Sequence, residues 1–247
     1  MLLYTTASNE KKLLSAARQG INVMTHEHHS GSNGKQIALE ERMAHGAKLT
    51  SPSVARNRDV ILEAFRKHMP TNGLILEIAS GTGEHGAYLT KALPDLIWQP
   101  SDPDENSRVS ITAYGEDISG GRLHLPFSID VAEYGWWDSP DIGNIDGLVT
   151  INMTHITHFN ATEGLFRGAA ALLKPGERLF LYGPYSINGE MAESNRAFDA
   201  DLKRRDPEWG VRDLEAQILP LAHNHAFHLV AAEHVPANNM VVVFEKG

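Results

Sequence analysis

The stretch Leu74-Ile75-Leu76-Glu77-Ile78-Ala79-Ser80-Gly81-Thr82-Gly83-Glu84-His85-Gly86 leaves the chain few ways to fold. A β-prone apolar run meets an acid at Glu77, crosses small residues and two alternating glycines, and enters a helix-like segment near Glu84 and His85. That order reads as strand, tight turn and helix start. Gly81 and Gly83 would let a ligand lie against bare main chain, because a residue without Cβ permits close approach and tolerates positive φ. The helix start offers unpaired N–H groups to whatever occupies the loop.

Two ligand classes use such a loop. Gly81-x-Gly83-x-x-Gly86 satisfies the dinucleotide pattern G-x-G-x-x-G, a weak signal when it stands alone. Glu77 separates the classes, since a carboxylate four residues before the first glycine adds repulsion near a pyrophosphate. The segment Glu77 to Gly83 also resembles the (D/E)-x-G-x-G-x-G loop of class I S-adenosyl-L-methionine (SAM) methyltransferases. Their ligand carries an ammonium and a sulfonium, both attracted by an acid at the strand end. Ala79 stands where that loop has its first glycine, a departure that speaks against a positive φ there.

At 247 residues with 42% hydrophobic content, the chain can bury a full core as one α/β domain with an extension. The net charge of −9 argues against a broad phosphate-binding surface, so no nucleic-acid partner is expected. Cysteine is absent, which removes disulfides, thiolate metal sites and cysteine nucleophiles. No apolar run approaches the roughly 20 residues of a membrane helix, so a soluble, cytoplasmic protein without a membrane partner is expected. The oligomeric state is not legible.

Residues 1–36 read as a flexible N-terminal extension, with a weak helix around Lys11 to Arg18, and residues 37–247 as the domain itself. Met24 and Met43 are both plausible starts. His26, His28 and His29 lie in a polar tract without a carboxylate framework, and no metal site is expected. Ile37 to Ala47 suggests a short helix. Ser51-Pro52-Ser53 then starts a stronger one through His68, with Ser51 or Ser53 as cap. Leu96 to Pro100 is a second strand. Asp102 follows 19 residues beyond Gly83, the distance at which an acid grips ribose hydroxyls in nucleoside-binding folds; Asp104 is the nearby rival, and a plain turn aspartate the alternative. Leu125 to Val131 reads as a short third strand, followed by Trp136 and Trp137. Ile145 to Asn152 is a fourth strand that delivers Asn152-Met153-Thr154-His155 to the carboxyl edge, where open α/β sheets hold ligands. Asn152 could orient the sulfonium end or the acceptor. His155 could act as a general base or be a hydrogen-bonded structural histidine. After a helix and Lys174-Pro175-Gly176, Arg178 to Tyr185 gives a fifth strand. Phe227 to Val235 and Met240 to Glu245 close the chain as an antiparallel hairpin.

Many further phrases occur in order: Arg56-Asn57-Arg58, Trp98-Gln99-Pro100-Ser101-Asp102, Tyr182-Gly183-Pro184-Tyr185, Asp206-Pro207-Glu208-Trp209-Gly210 and Pro236-Ala237-Asn238-Asn239. With the glycine loop and Asn152-Met153-Thr154-His155-Ile156, they resemble the methyltransferase-like protein 26 family, also called domain of unknown function 938, from about Leu49 to the C-terminus. The resemblance implies a class I, Rossmann-like methyltransferase fold: a doubly wound, mostly parallel seven-stranded sheet with a C-terminal antiparallel hairpin. One loop departs from it. After His155-Ile156 the family usually runs serine, proline, tryptophan, and here Thr157-His158-Phe159 stands.

The resulting expectation is SAM-dependent methyl transfer to a small-molecule acceptor. Glu77 serves the ammonium, while Ala79, Ser80, Gly81 and Gly83 give the main-chain approach. Asp102 takes the ribose, Asp130 the adenine, and Asn152 the sulfonium end. His155, Tyr182 or Tyr185 accepts the acceptor's proton. The rival readings are a non-catalytic SAM-binding or interaction protein and a nicotinamide-dependent oxidoreductase.

Overall fold

A computed structural model describes residues 2–20, 42–138 and 142–247 of the chain. The first half contains α1 (Leu2–Gly20), β1 (Met43–His45), β2 (Lys48–Thr50), α2 (Pro52–His68), β3 (Gly73–Ile78), α3 (Glu84–Ala92), β4 (Leu96–Ser101) and α4 (Glu105–Gly115). The second contains β5 (Gly147–Ile151), α5 (Phe159–Leu172), β6 (Arg178–Gly183), β7 (Tyr185–Ser186), α6 (Glu193–Arg205) and β8 (Arg212–Asp213). A π-helical turn at Leu214–Ile218 runs into α7 (Leu219–Asn224), and β9 (Phe227–Val235) and β10 (Asn239–Lys246) follow. Met24 and the histidines 26, 28 and 29 lie outside the described residues.

The central sheet has the order β4-β3-β5-β6-β10-β9, parallel from β4 to β6 and antiparallel at β10 and β9. Side chains alternate across it. Leu76, Ile78, Leu148, Leu179 and Val242 join a core with α1, α5 and α7. Ile75, Trp98, Val149, Phe180 and Val241 face α2 and α3 on the other side. Phe65 of α2 packs on both Trp98 and Phe180, with ring centroids 5.9 and 6.2 Å apart. A fully buried side chain of this size contributes roughly 1.5–3 kcal/mol. With helices on both faces and strands parallel at the centre, the chain has the doubly wound α/β fold with its terminal antiparallel hairpin.

Three expectations change. The seventh strand is not continuous: residues 122–127 run parallel to β4, but only as two isolated bridges, Trp98 with Leu123 and Ser101 with Phe127. Pro100 and Pro126 have no N–H to give to a ladder. The Leu125 carbonyl is instead taken by the Gln99 side chain at 2.8 Å. The helix expected over Ile37 to Ala47 is replaced, within its described part, by the β1–β2 hairpin, which pairs Met43 with Thr50 and turns at Gly46 (φ 65°). The third is Ala79, whose φ is 57°. The turn out of β3 demands the left-handed region whichever residue stands there.

The N-terminal helix, expected only around Lys11 to Arg18, spans Leu2–Gly20 and lies along β9. Ala17 is buried there. The Glu10 carboxylate accepts the Leu229 N–H at 2.7 Å, and the His234 imidazole meets the Ala17 carbonyl. No helix among the described residues is long and apolar enough to cross a membrane.

Candidate cofactor site

The carboxyl ends of β3 and β4 converge on the Ala79–Gly83 loop. Ser80 ties the two strand ends together, its N–H on the Ser101 carbonyl at 2.9 Å and its Oγ accepting the Ser101 N–H at 3.1 Å. The Gly81 N–H donates to Asp102 Oδ2 at 2.8 Å, and the other carboxylate oxygen takes the Asp104 N–H at 2.9 Å. Asp104 in turn caps α4 through Ser107 at 2.8 Å. Asp102 is therefore the acid at the loop and Asp104 a helix cap, which separates the two candidates.

Each glycine has its own cause. Gly83 combines φ 87° with a packing limit: a Cβ there would stand 2.9 Å from the Ile111 Cα. At Gly86 a Cβ would stand 2.7 Å from Trp98 Nε1, so the third glycine of the pattern makes room for an indole. Around Gly81 the loop is open, the nearest atom to a Cβ being Nη2 of Arg42 at 3.5 Å.

Glu77 is 1% exposed, and Trp98 Nε1 donates to its Oε2 at 2.9 Å. Burial pushes its carboxyl up to about 7; hydrogen bonds from Trp98 and Ser80 oppose the shift and the Asp102 charge adds to it. Glu77 thus acts from beneath the loop rather than at its surface. Burial also raises the Asp102 carboxyl, against the N–H bonds of Asp104 and Gly81. Burial opposes ionisation of Asp104 too, but the Ser107 hydrogen bonds outweigh it and hold that group low.

Asp130 is exposed, one oxygen accepting the Ala132 N–H at 2.9 Å. Asn152 ends β5 with φ 63°, its N–H on the Tyr182 carbonyl at 2.8 Å.

The three candidate proton acceptors divide between the two faces of the sheet. His155 and Tyr185 pack edge to face at 4.9 Å, and both are enclosed, at 0% and 2% exposure. The Arg212 N–H points at His155 Nδ1 at 3.4 Å, and Thr154 Oγ1 lies 3.3 Å from Nε2. Burial, then the Arg212 charge, pushes the His155 imidazole down to about 3, so the ring is neutral. Burial pushes the Tyr185 phenol up to about 12. Gly183 is needed beside them because a Cβ would stand 2.4 Å from His155 Nε2. Tyr182 belongs to the opposite core, its phenol raised by burial against hydrogen bonds from Asn57 and Asn239. Asn57 Oδ1 also meets His85 Nε2 at 2.9 Å, and burial pushes His85 down to about 4.

The structure thus gathers Glu77, Ala79, Ser80, Gly81, Gly83 and Asp102, and brings His155 to Tyr185, but leaves Tyr182 apart from both. Sequence reading missed Trp98, Asn57, His85 and Arg212 as neighbours of these groups. Arg212 clasps the departing loop, with Nε on the Thr154 carbonyl at 2.9 Å and Nη2 on that of Thr157 at 2.7 Å. The loop from Asp206 to Asp213 carries that arginine to His155.

Residues 48–246 match the family described as "Protein of unknown function (DUF938)". Among solved structures, the fold is similar to an O-methyltransferase family protein from Burkholderia thailandensis (TM-score 0.66, 14% identity, 79% of this chain and 56% of that one). It is also similar to human N-acetylserotonin methyltransferase in complex with SAM (TM-score 0.61, 13% identity, 79% and 54%). A third is the magnesium protoporphyrin IX methyltransferase of Synechocystis PCC 6803 with bound SAM (TM-score 0.54, 13% identity, 78% and 79%). The chain spans little more than half the length of the first two. At these identities the likeness is one of fold.

Proposed function

We propose, for a chain that belongs to the DUF938 family, SAM-dependent methyl transfer to a small-molecule acceptor. The observation that carries this reading is the bond from the Gly81 N–H to Asp102 Oδ2, which joins an open glycine loop to an acid at the carboxyl edge of a parallel sheet. The residues fit the group. Gly81 leaves the main chain bare, Asp102 presents a carboxylate to a vicinal diol, and Asp130 keeps one oxygen for the adenine amino group. Glu77, with Asp102, sets a negative potential under the loop that suits a sulfonium and an ammonium. Ala79, Ser80 and Gly83 shape the cradle, and Asn152 marks its far side at the end of β5.

The cofactor supplies an electrophilic methyl on a sulfonium, and the chain's task is to align an acceptor with it while excluding water. His155 is neutral and enclosed, so proton abstraction by it is weak. The favoured acceptor is therefore one that need not lose a proton before it attacks, with the enclosed His155, Thr154 and Tyr185 as a rigid wall behind it. The same enclosure favours a second reading, a SAM-binding protein without transfer.

Titration calorimetry with SAM and NAD(H), followed by labelled SAM with a native small-molecule extract and mass spectrometry, tests both. SAM binding with a labelled product is the expected result. NAD binding without SAM binding overturns the proposal, and SAM binding without any labelled product leaves the second reading.

A further inference from the structure

Beyond the glycine loop and its acids, two arginines stand at the site: Arg108, whose Nη1 donates to the Asp102 and Pro103 carbonyls at 2.9 and 2.7 Å, and Arg42. Arg42, immediately before β1, donates from Nη1 to Ser107 Oγ at 2.9 Å, its hydrogen-bond partner among the described residues. Its Nη2 lies 3.5 Å from where a Gly81 Cβ would be. The arm that carries it is pinned: the Leu49 N–H donates to Ser110 Oγ at 2.8 Å, Tyr114 Oη to the Leu49 carbonyl at 3.2 Å, and Lys48 Nζ meets Asp117 Oδ2 at 2.7 Å. Ser51, just beyond β2, donates its N–H to Glu84 at 2.7 Å at the start of α3. Ser107 in turn bonds Asp104, so the guanidinium is oriented through α4 rather than loose on the surface.

Burial opposes ionisation of Asp102 and Asp104 and the Arg42 charge favours it, but toward a sulfonium or an ammonium that charge is repulsive. SAM has one anionic group, the carboxylate of its methionine moiety. A guanidinium fork matches a carboxylate in charge and planar geometry, and one arm of this fork is already spent on Ser107 while the other faces the loop. We propose that Arg42 is a cofactor-recognition residue whose free arm takes the carboxylate of SAM, so that the β1–β2 hairpin belongs to the cofactor site. This deepens the methyltransferase reading and rests on it.

The test compares SAM with decarboxylated SAM, which keeps the ammonium and sulfonium but lacks the carboxylate, by titration calorimetry on the full chain. Wild type is expected to prefer SAM roughly tenfold or more, and Arg42→Ala to lose that preference while binding decarboxylated SAM at least as well. That retained binding also shows that the variant is folded. Arg42→Lys, with the charge but not the fork, is expected to fall between. An unchanged preference in Arg42→Ala overturns the proposal, as does an equal gain of affinity for both ligands, which would make Arg42 a mere occupant. Failure of wild type to bind either ligand, or methylthioadenosine, removes the SAM reading itself and this inference with it.

Discussion

Glu77 concentrates the conflict between folding and binding in one carboxyl group. Its folded pKa, about 7, lies above the ordinary 4.5 because burial disfavours the charge. Between those values the native state holds the proton more tightly than the unfolded chain, so stability falls as pH rises from 4.5 to 7 and is constant above. The charge costs roughly 3 kcal/mol of stability at pH 8. Glu77→Gln keeps an oxygen for Trp98 and is expected to be more stable than wild type by about that much at pH 8 and by almost nothing at pH 4.5. Urea melts at the two pH values check this. Calorimetry should show the same variant losing SAM affinity, and wild type releasing a proton on binding near pH 7. Ala79 carries a smaller strain. A left-handed alanine costs about 1–2 kcal/mol, and glycine's unfolded-state entropy takes back roughly 0.5–1, so Ala79→Gly should raise the urea midpoint by the equivalent of up to about 1.5 kcal/mol. Alanine's own preference, correctly read from the sequence, pointed away from the conformation found. A strand ending, a tight turn and a helix start together override it.

Among elements, the strand–loop–helix unit was legible because its signals are local: an apolar run, alternating glycines and a helix start within one short stretch. The hairpin at Met43–Thr50 was not. Ala38, Leu39, Glu40, Glu41 and Ala44 are helix formers. What favours strands over Met43–Thr50 is docking onto Ser110 and Tyr114, more than 60 residues away. Arg42 was invisible for the same reason, having no motif around it. Packing between α3 and β4 gives the prediction at this scale. Gly86→Ala pushes a methyl into Trp98 and is expected to destabilise the fold by roughly 1–3 kcal/mol. Because Trp98 holds Glu77, it should also weaken SAM binding. Thermal melts and calorimetry on the one variant read both.

Across the whole molecule, the terminal hairpin followed from its two strand-like runs and the turn residues between them, and the doubly wound sheet from the family resemblance; the strand order and the two cores come from the structure. The interruption at residues 122–127 was not legible either, since Pro126 and the Pro100 of β4 act only once the two stretches lie side by side. Enclosed neutral imidazoles set a global property. His155 has a folded value near 3 against an ordinary 6.5, so its contribution is fully present above 6.5 and is lost as pH falls. Down to pH 5 that loss is about 2 kcal/mol. His155→Asn should flatten acid-side stability by this amount. If the ring is a wall rather than a base, turnover should also drop by less than the hundredfold of lost general-base catalysis, as rate measurements at pH 7.5 would show.

The lodging of α1 against β9 has a consequence for how this chain behaves in company. β9 is the outermost strand, and Glu10 occupies its Leu229 N–H. Bare strand margins invite pairing with another copy. A polypeptide beginning at Met43 would present that margin undressed. Light scattering should find it self-associating as concentration rises, while the full-length chain keeps its size.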